Sequence, residues 1–373
     1  MSLRSIWLIW HYAGYFAFAV NVLAFVLPCR IRRGAKLLWT AVLLAFALKP
    51  LVFYACGDGA DVAECVPELH DSIIFVLETG YFGSLALAGL SLVWWTRRGR
   101  VWLLPTLAFG SALWGMVGGL ALPSVREVEL AFPNLPERLD GYRILQISDI
   151  HASPAARRWR TQAIVERANA QRADLVCLTG DLADGRAEYA ARFIEPIRGL
   201  KARDGVWAVT GNHECFRYHR GWWEWYARWG IRFLENECVF PHAGLALGGV
   251  NDFRVLDPKT GVLNGEYPDV GKAFASATNG EFRVLLQHQP RAAHANVEGH
   301  GVRLQLSGHT HGGIMPLLAE FVRRRNGGFV RGLYELAGGR LYVNPGCGQW
   351  AGFPMRFFDP SEIALITLRR GGF

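Results

Sequence analysis

The sequence is short of charged residues, which make up 19% of its 373 residues, against about 25% in an average soluble domain. This deficit indicates that part of the chain does not face water. The seven cysteines have no tight spacing, which excludes a disulfide-stapled mini-protein and a zinc ribbon. The excess of basic residues, +8, is spread along the chain, so nucleic acid is not expected as a binding partner. The hydrophobic content of 51% excludes a disordered chain.

The apolar residues are concentrated before residue 123, in four stretches. Each stretch is long enough for the ~20 residues with which a helix crosses a bilayer. None shows the polar face at 3.6-residue spacing that a soluble helical domain needs. We therefore predict a four-helix transmembrane region over residues 1–122. The predicted spans are Ser5–Pro28, Leu37–Cys56, Ser72–Trp95 and Val101–Leu122.

The charges between the stretches predict the orientation of these helices. The first and third loops are basic, and basic short loops stay in the cytoplasm. The second loop is acidic, which puts it and everything after residue 122 outside the cytoplasm, in the periplasm. Cys56 and Cys65 fall at this outer loop, where a disulfide is permitted and two free thiols are the alternative. The basic residues are Arg30, Arg32, Arg33, Lys36, Arg97, Arg98 and Arg100, and the acidic ones are Asp58, Asp61, Glu64, Glu68 and Asp71.

Ionisable residues also occur inside the predicted spans. Lys49 and Glu78 each lie about 10 Å below the outer surface at 1.5 Å per helical residue, and His11 lies at a similar depth. Such groups are unfavourable in a membrane unless they are paired. Lys49 alone could extend to the headgroups, but Glu78 is shorter. We therefore predict a Lys49–Glu78 pair, with His11 as a candidate third member.

After a linker over 123–140, the chain changes to short apolar runs that alternate with amphipathic patterns. Arg157–Arg172 is typical of a helix that crosses between two strands. This alternation predicts an α/β layered domain over residues 141–373. The predicted strands are Tyr142–Ser148, Asp174–Thr179, Val206–Thr210, Phe282–Gln287 and Val302–Leu306.

Potential metal ligands follow these strands, where α/β sheets place their sites. Aspartate and histidine donors with an asparagine carbonyl suit Mn, Fe or Zn rather than Ca. The donors are too numerous for one ion, so the sequence predicts two divalent metal ions that share a carboxylate. The motifs are Ser148-Asp149-Ile150-His151, Gly180-Asp181-Leu182-Ala183-Asp184, Gly211-Asn212-His213-Glu214, Gln287-His288 and Gly308-His309-Thr310-His311.

From Leu139 to Leu368 the sequence resembles the calcineurin-like metallophosphoesterase superfamily. Three segments are similar to its membrane-tethered branch: Leu139–Ile144, Leu306–Gly313, and Pro354-Met355-Arg356 with Ser361-Glu362-Ile363. The resemblance implies two mixed β-sheets sandwiched by helices. It also implies hydrolysis of a phosphodiester or phosphomonoester by a hydroxide that bridges the two ions.

The resemblance further implies a role for each site residue. Asp181 would bridge the two ions. Among Mn, Fe and Zn, we favour Mn as the metal. His213 would neutralise or protonate the leaving oxygen, and Asp184 would orient its ring. Glu214 is not an expected ligand, and we interpret Cys347 as a packing residue. The ligands would be Asp149, His151 and His311 for the first ion, and Asn212, His288 and His309 for the second.

Two features favour a lipid-linked substrate and contact with membrane lipid. The domain follows the last predicted span closely, and aromatic and arginine residues cluster near the catalytic motifs, which suits a headgroup region. A packed helix with an ordinary solvated loop is the alternative. The alternative functions are a cytoplasmic pyrophosphatase of a nucleotide-linked lipid precursor and a non-catalytic membrane scaffold. The clustered residues are Trp222, Trp223, Trp225, Tyr226, Trp229, Phe321–Arg325 and Phe329–Arg331.

Overall fold

A computed structural model of the chain describes residues 3–56, 71–93, 103–153, 156–185, 187–215, 219–255, 266–313, 315–348, 350 and 354–371. The chain divides into two compact units. The N-terminal unit comprises Met1–Leu120 with Ala351–Phe357, and the C-terminal unit comprises Ala121–Trp350 with Phe358–Phe373. Cys65 and the three arginines of the predicted third loop lie outside the described residues.

The N-terminal unit is helical. Its helices are α1 (Leu3–Val20), which continues as a π-helical segment (Asn21–Val26), α2 (Arg33–Ala47), α3 (Lys49–Cys56), α4 (Asp71–Val93) and α5 (Leu103–Leu120). Within the described residues, two helices are long and apolar enough to cross a membrane, Ser72–Val93 and Leu103–Leu120.

The other two predicted spans differ from the expectation of four continuous transmembrane helices. The second is divided between α2 and α3, because Pro50 has no N–H group with which to continue the helical hydrogen bonds. The first changes from α- to π-helical hydrogen bonding at Asn21, and its apolar part is the shorter helix His11–Val26. The described residues therefore support two membrane helices and not clearly four.

The predicted pairing of Lys49 with Glu78 is confirmed. Nζ of Lys49 lies 2.8 Å from Oε2 of Glu78, and both side chains are buried. The ammonium also lies 4.9 Å from the ring centroid of Tyr81 and 5.5 Å from that of Phe82. His11 shares a 2.7 Å hydrogen bond with Tyr15, one helical turn away. The ionic and aromatic contacts together explain how a lysine is accommodated inside this unit.

The ion pair gives a stability prediction for the detergent-solubilised protein. Glu78→Gln leaves the Lys49 ammonium buried without its counter-charge, so we expect a loss of about 3–5 kcal/mol in the free energy of unfolding. Adding Lys49→Met, which keeps the volume but removes the charge, should restore part of that loss. Thermal unfolding of the two single variants and the double variant measures the coupling. Additive losses would contradict the pairing.

The C-terminal unit is built on two mixed sheets, six-stranded in the described residues. The first has the order β1-β12-β2-β3-β4-β5, and the second the order β10-β11-β9-β8-β7-β6. The strands of the first sheet are β1 (Ser124–Phe132), β2 (Arg143–Ile147), β3 (Leu175–Leu178), β4 (Val206–Ala208), β5 (Arg232–Phe233) and β12 (Glu362–Arg370). Those of the second are β6 (Glu237–His242), β7 (Leu245–Gly249), β8 (Phe282–Leu286), β9 (Leu304–Ser307), β10 (Gly332–Leu336) and β11 (Gly339–Val343).

Helices cover the outer faces of these sheets. The two inner faces share one apolar core, to which Ile144 and Ile366 contribute from one sheet and Leu247 and Val284 from the other. The predicted α/β domain with two mixed sheets sandwiched by helices is therefore confirmed. The helices are α6 (Arg158–Ala170), α7 (Ala187–Ile194), α8 (Asn212–Cys215), α9 (His219–Arg228), α10 (Val270–Ala273), α11 (Ala293–His300) and α12 (Pro316–Arg325).

Two sequence interpretations need correction. The segment 123–140 contains β1, which pairs in parallel with β12, and Leu130 and Phe132 enter the shared core. Its charged residues made it resemble a linker, although its apolar residues alternate as in a strand. The tryptophan-rich helix α9 is a packing element, because Trp222 and Tyr226 are 1% and 0% exposed. This burial favours the packed-helix alternative for α9 over contact with a lipid headgroup region.

Candidate metal centre

The predicted ligands lie at the carboxyl ends of β2, β3, β8 and β9 and just after β4. The strands β2, β3 and β4 are parallel neighbours in the first sheet, and β8 and β9 are parallel neighbours in the second. In each sheet the carboxyl ends of these strands therefore lie at the same edge. Many ligands also share an unusual backbone, since Asp149, His151, Asp181, His309 and His311 all have φ between 47° and 72°. This left-handed conformation is uncommon outside glycine and concentrates at functional sites. The loops thus turn sharply enough to direct successive side chains into one space.

Asp149, His151 and His311 form the first group of donors. Nε2 of His151 lies 3.1 Å from Nε2 of His311, which in turn lies 3.6 Å from Oδ1 of Asp149. The backbone N–H of His309 donates to both carboxylate oxygens of Asp149 at 3.1 Å, and the Ser148 hydroxyl donates to Oδ2 at 2.5 Å. These donors fix the carboxylate so that it faces the two imidazoles.

Asp181, His288 and His309 form the second group. Oδ2 of Asp181 lies 3.2 Å from Nε2 of His288, which lies 3.3 Å from Nδ1 of His309. Nδ1 of His288 donates to the carbonyl oxygen of Thr179 at 2.7 Å, which directs Nε2 of this ring toward Asp181 and His309. Burial, and then the charge of His288, lowers the pKa of His309 to about 3. A neutral imidazole is the form that binds a metal.

Asp184 faces two imidazoles. Its Oδ1 lies 2.8 Å from Nδ1 of His151 and 2.7 Å from Nδ1 of His213. Burial alone would raise the pKa of Asp184, but the facing His151 and His213 lower it below its ordinary value, so the carboxylate is charged. The sequence predicted its contact with His213 but missed its contact with His151. One carboxylate therefore orients both the proposed acid and a proposed ligand.

Glu214 is the residue whose importance the sequence did not reveal. Its buried carboxylate accepts backbone N–H groups from Asp181 at 2.9 Å, Leu182 at 2.6 Å and Gly211 at 2.7 Å. It thus joins the loops after β3 and β4. A Cβ at Gly211 would lie 2.1 Å from Oδ1 of Asp181, so only glycine permits this approach. The sequence feature that could have indicated this role is the acidic residue directly after Gly211-Asn212-His213.

The donor set fits divalent metal ions. Asn212 is buried, and its Oδ1 accepts no hydrogen bond from any residue that the structure describes. Such an orphaned amide oxygen needs a partner, and a cation can supply it. The buried carboxylates of Asp149 and Asp181 are likewise unfavourable without positive charge nearby. Three groups of clustered donors are found in the described residues: Asp149–His151–His311, Asp181–His288–His309 and His151–Asp184–His213.

The remaining candidates lie as follows. Cys347 is fully buried and its thiol donates to the carbonyl of Glu362 at 2.8 Å, which confirms packing. Its backbone N–H nevertheless donates to the carbonyl of Ser148, so its segment does adjoin the metal centre. His242 and His294 belong to none of the donor groups in the described residues.

A layered α/β fold with aspartate, histidine and asparagine donors at its strand ends defines a metal-dependent hydrolase. Residues 142–313 match the model of the calcineurin-like phosphoesterase family. An uncharacterized metallophosphoesterase of Helicobacter pylori is 31% identical over 343 residues, which cover 89% of this chain and 89% of that protein. A zebrafish (Danio rerio) protein described as a transmembrane protein with metallophosphoesterase domain is 34% identical over 69% of this chain and 60% of its own length.

The chain belongs to the calcineurin-like phosphoesterase family. It is a metal-dependent phosphoester hydrolase, since the family match includes the three donor groups. The apolar helices α4 and α5 and the relatives described as transmembrane proteins indicate association with a membrane.

Proposed function

We propose that this protein is a membrane-anchored phosphoesterase with two metal ions, hydrolysing a phosphodiester or phosphomonoester outside the cytoplasm. A lipid headgroup is the favoured substrate class. The membrane part over residues 1–122 belongs to this proposal, as does a catalytic part over residues 141–373 that is completed by strand β1 (Ser124–Phe132). The observation that carries it is the convergence of donors from five strand ends around Asp181. Oδ2 of Asp181 lies 3.2 Å from His288 and 3.8 Å from His151, one imidazole from each group.

The proposed roles follow from these contacts. Asp149, His151 and His311 would hold one ion, Asn212, His288 and His309 the other, and Asp181 both. Bound metal ions supply a nucleophile at neutral pH by lowering the pKa of water, and they offset phosphate charge. His213 would donate a proton to the leaving oxygen from Nε2, because Asp184 occupies its Nδ1 side. No protein nucleophile is needed.

The hydrolysis test uses the full-length protein in detergent with bis(p-nitrophenyl) phosphate as the probe. Metal is removed with a chelator and Mn²⁺, Zn²⁺ or Fe²⁺ is added back, with Mn²⁺ expected to restore the most activity. Metal content is measured in parallel on wild type and His213→Ala. A protein that contains metal but hydrolyses neither mono- nor diester probes would favour the scaffold alternative.

The orientation is tested by reporters of sidedness fused after Phe373. We expect a reporter that is active only in the periplasm to be active in this fusion. The basic segment that contains Arg30, Arg32 and Lys36 favours the cytoplasmic side, which puts the catalytic domain on the opposite side of the membrane. A reporter active only in the cytoplasm would overturn the orientation. It would then favour a pyrophosphatase of nucleotide-linked lipid precursors.

Helix α12 supports contact with lipid. It follows the His309–Gly313 loop directly, and Leu318, Phe321 and Arg325 occupy one of its faces at helical spacing. Leu318 is 39% and Phe321 60% exposed, and the Arg325 guanidinium lies 5.1 Å from the Phe321 ring centroid. An exposed apolar stripe with arginine is typical of a helix that lies in the membrane interface.

The lipid contact predicts position-specific cross-linking in the full-length protein in bilayer discs. A photoreactive benzoylphenylalanine at position 321 should form lipid adducts on illumination, detected by mass spectrometry. The same probe at Phe240, which is 50% exposed on β6, serves as the control. Equal lipid labelling at both positions would contradict a specific role for α12.

A further inference from the structure

The segment between β11 and β12 contains the motif Pro354-Met355-Arg356, to which the hydrolytic chemistry assigns no role. Pro354–Phe357, here called the strap, belongs to the N-terminal unit although the chain on both sides of it belongs to the C-terminal unit. The described residues of this segment form no helix or strand. A stretch of catalytic sequence is therefore an integral part of the helical unit.

The strap packs closely on α5. The backbone N–H of Arg356 donates to the carbonyl of Gly115 at 2.9 Å. Met355 joins an apolar cluster with Tyr81 and Met116, and Phe357 contacts Trp114 edge to face at 5.9 Å. These contacts combine a backbone hydrogen bond with buried apolar surface.

Glycines on α5 make this packing possible. A Cβ at Gly118 would lie 2.2 Å from the carbonyl oxygen of Arg356, a backbone atom that cannot move independently. A Cβ at Gly115 would lie 2.8 Å from the end of the Met355 side chain, which is flexible. Gly110, on the same helix, has nothing within 4 Å. The three positions thus differ in how strongly a methyl group would displace the strap.

The chain on both sides of the strap contacts the metal-centre loops. On one side, Gly348 donates its N–H to the carbonyl of Asp149 at 2.9 Å, and the Trp350 ring lies 6.3 Å from that of His213, centroid to centroid. On the other side, Asp359 lies against Gly312, 3.0 Å from the position of an added Cβ. In the sequence, the strap therefore lies between two segments that each contact the loops of the metal centre.

We propose that the strap is a positioning element for the phosphoesterase site: its packing on α5 helps to hold Gly346–Gly348 against the Asp149 loop. The inference rests on the proposed function for its catalytic consequence only. Release of the strap should free the amides of Cys347 and Gly348, which donate to Ser148 and Asp149.

The test is a graded series of α5 variants in the full-length, metal-loaded protein: Gly110→Ala, Gly115→Ala and Gly118→Ala. Hydrogen exchange followed by mass spectrometry reads the amides of Arg356 and Gly348. We expect exchange at both amides to rise about tenfold or more in Gly118→Ala, less in Gly115→Ala and not in Gly110→Ala. With bis(p-nitrophenyl) phosphate, kcat should fall by about 10²-fold in Gly118→Ala, with metal content unchanged.

Several outcomes would overturn the proposal. Faster exchange at Arg356 without any change at Gly348 or in kcat would make the strap a packing contact only, as would equal effects of Gly110→Ala and Gly118→Ala. If Gly118→Ala does not fold, Met355→Ala removes strap packing while leaving α5 intact. Hydrogen exchange at the amides of Arg356 and Gly348 in that variant then tests the proposal. If wild type hydrolyses no phosphoester, the proposed function fails, yet the exchange data still decide whether the strap and the Asp149 loop are coupled.

Discussion

Asp181→Asn should lose both metal ions and essentially all hydrolysis. The Asp181 carboxylate lies between the two donor groups, with Oδ2 3.2 Å from Nε2 of His288 and 3.8 Å from Nε2 of His151. Burial alone would raise the pKa of Asp181, but the neighbouring His288 and His213 hold it well below its ordinary value. The side chain is therefore an anion, and an amide of the same shape cannot bind two cations equally well.

Metal analysis of purified Asp181→Asn measures this effect directly. Asp252→Asn is the matched control, because Asp252 is also a buried carboxylate but contacts Gln289 at 2.9 Å and belongs to none of the donor groups in the described residues. We expect the control to keep its metal. Retention of two ions by Asp181→Asn would show that another residue bridges them.

His213→Ala should keep the metal ions and lose about 10²–10⁴-fold in rate, the span of a general acid. Nδ1 of His213 is 2.7 Å from Asp184, while its Nε2 is 4.0 Å from Oδ2 of Asp181. The ring thus borders the site without being part of the two groups assigned to metal. Rates with a diester of a better leaving group should be less sensitive to the change, since a weaker base needs less protonation.

Asp184→Asn provides the contrast to His213→Ala. Because Asp184 also faces Nδ1 of His151 at 2.8 Å, its neutral variant should lower metal affinity, by about 10–100-fold, as well as the rate. Titration with Mn²⁺ followed by activity and by metal content separates the two effects. If His213→Ala lost metal and Asp184→Asn did not, the assigned roles would be reversed.

Local patterns were sufficient to predict the strands that the ligand motifs follow. The strands β2, β3, β4, β8 and β9 are short apolar runs bounded by polar turns, and each is found within the predicted range or one residue from it. The same runs positioned the ligand motifs, because a strand end directs the next residue into the turn. The grouping of Asp149 with His311, 3.6 Å apart, followed from the family resemblance.

What the sequence could not predict depends on partners far away along the chain. The strand character of Ser124–Phe132 is determined by pairing with Glu362–Arg370, the other end of the domain. The burial of Trp222 follows from its packing on the first sheet, which a count of aromatic residues does not reveal. Likewise, nothing near Pro354–Phe357 in the sequence indicates that it packs on α5.

The position of β12 has a consequence for biogenesis. β12 lies between β1 and β2, parallel to one and antiparallel to the other, so the first sheet has a gap until residues 362–370 are in place. A nascent chain that has reached residue 311 already carries every proposed ligand but still lacks the strand that joins β1 to the Asp149 loop. We therefore expect stable metal loading only after residues 362–370 have been synthesised and have paired with β1 and β2.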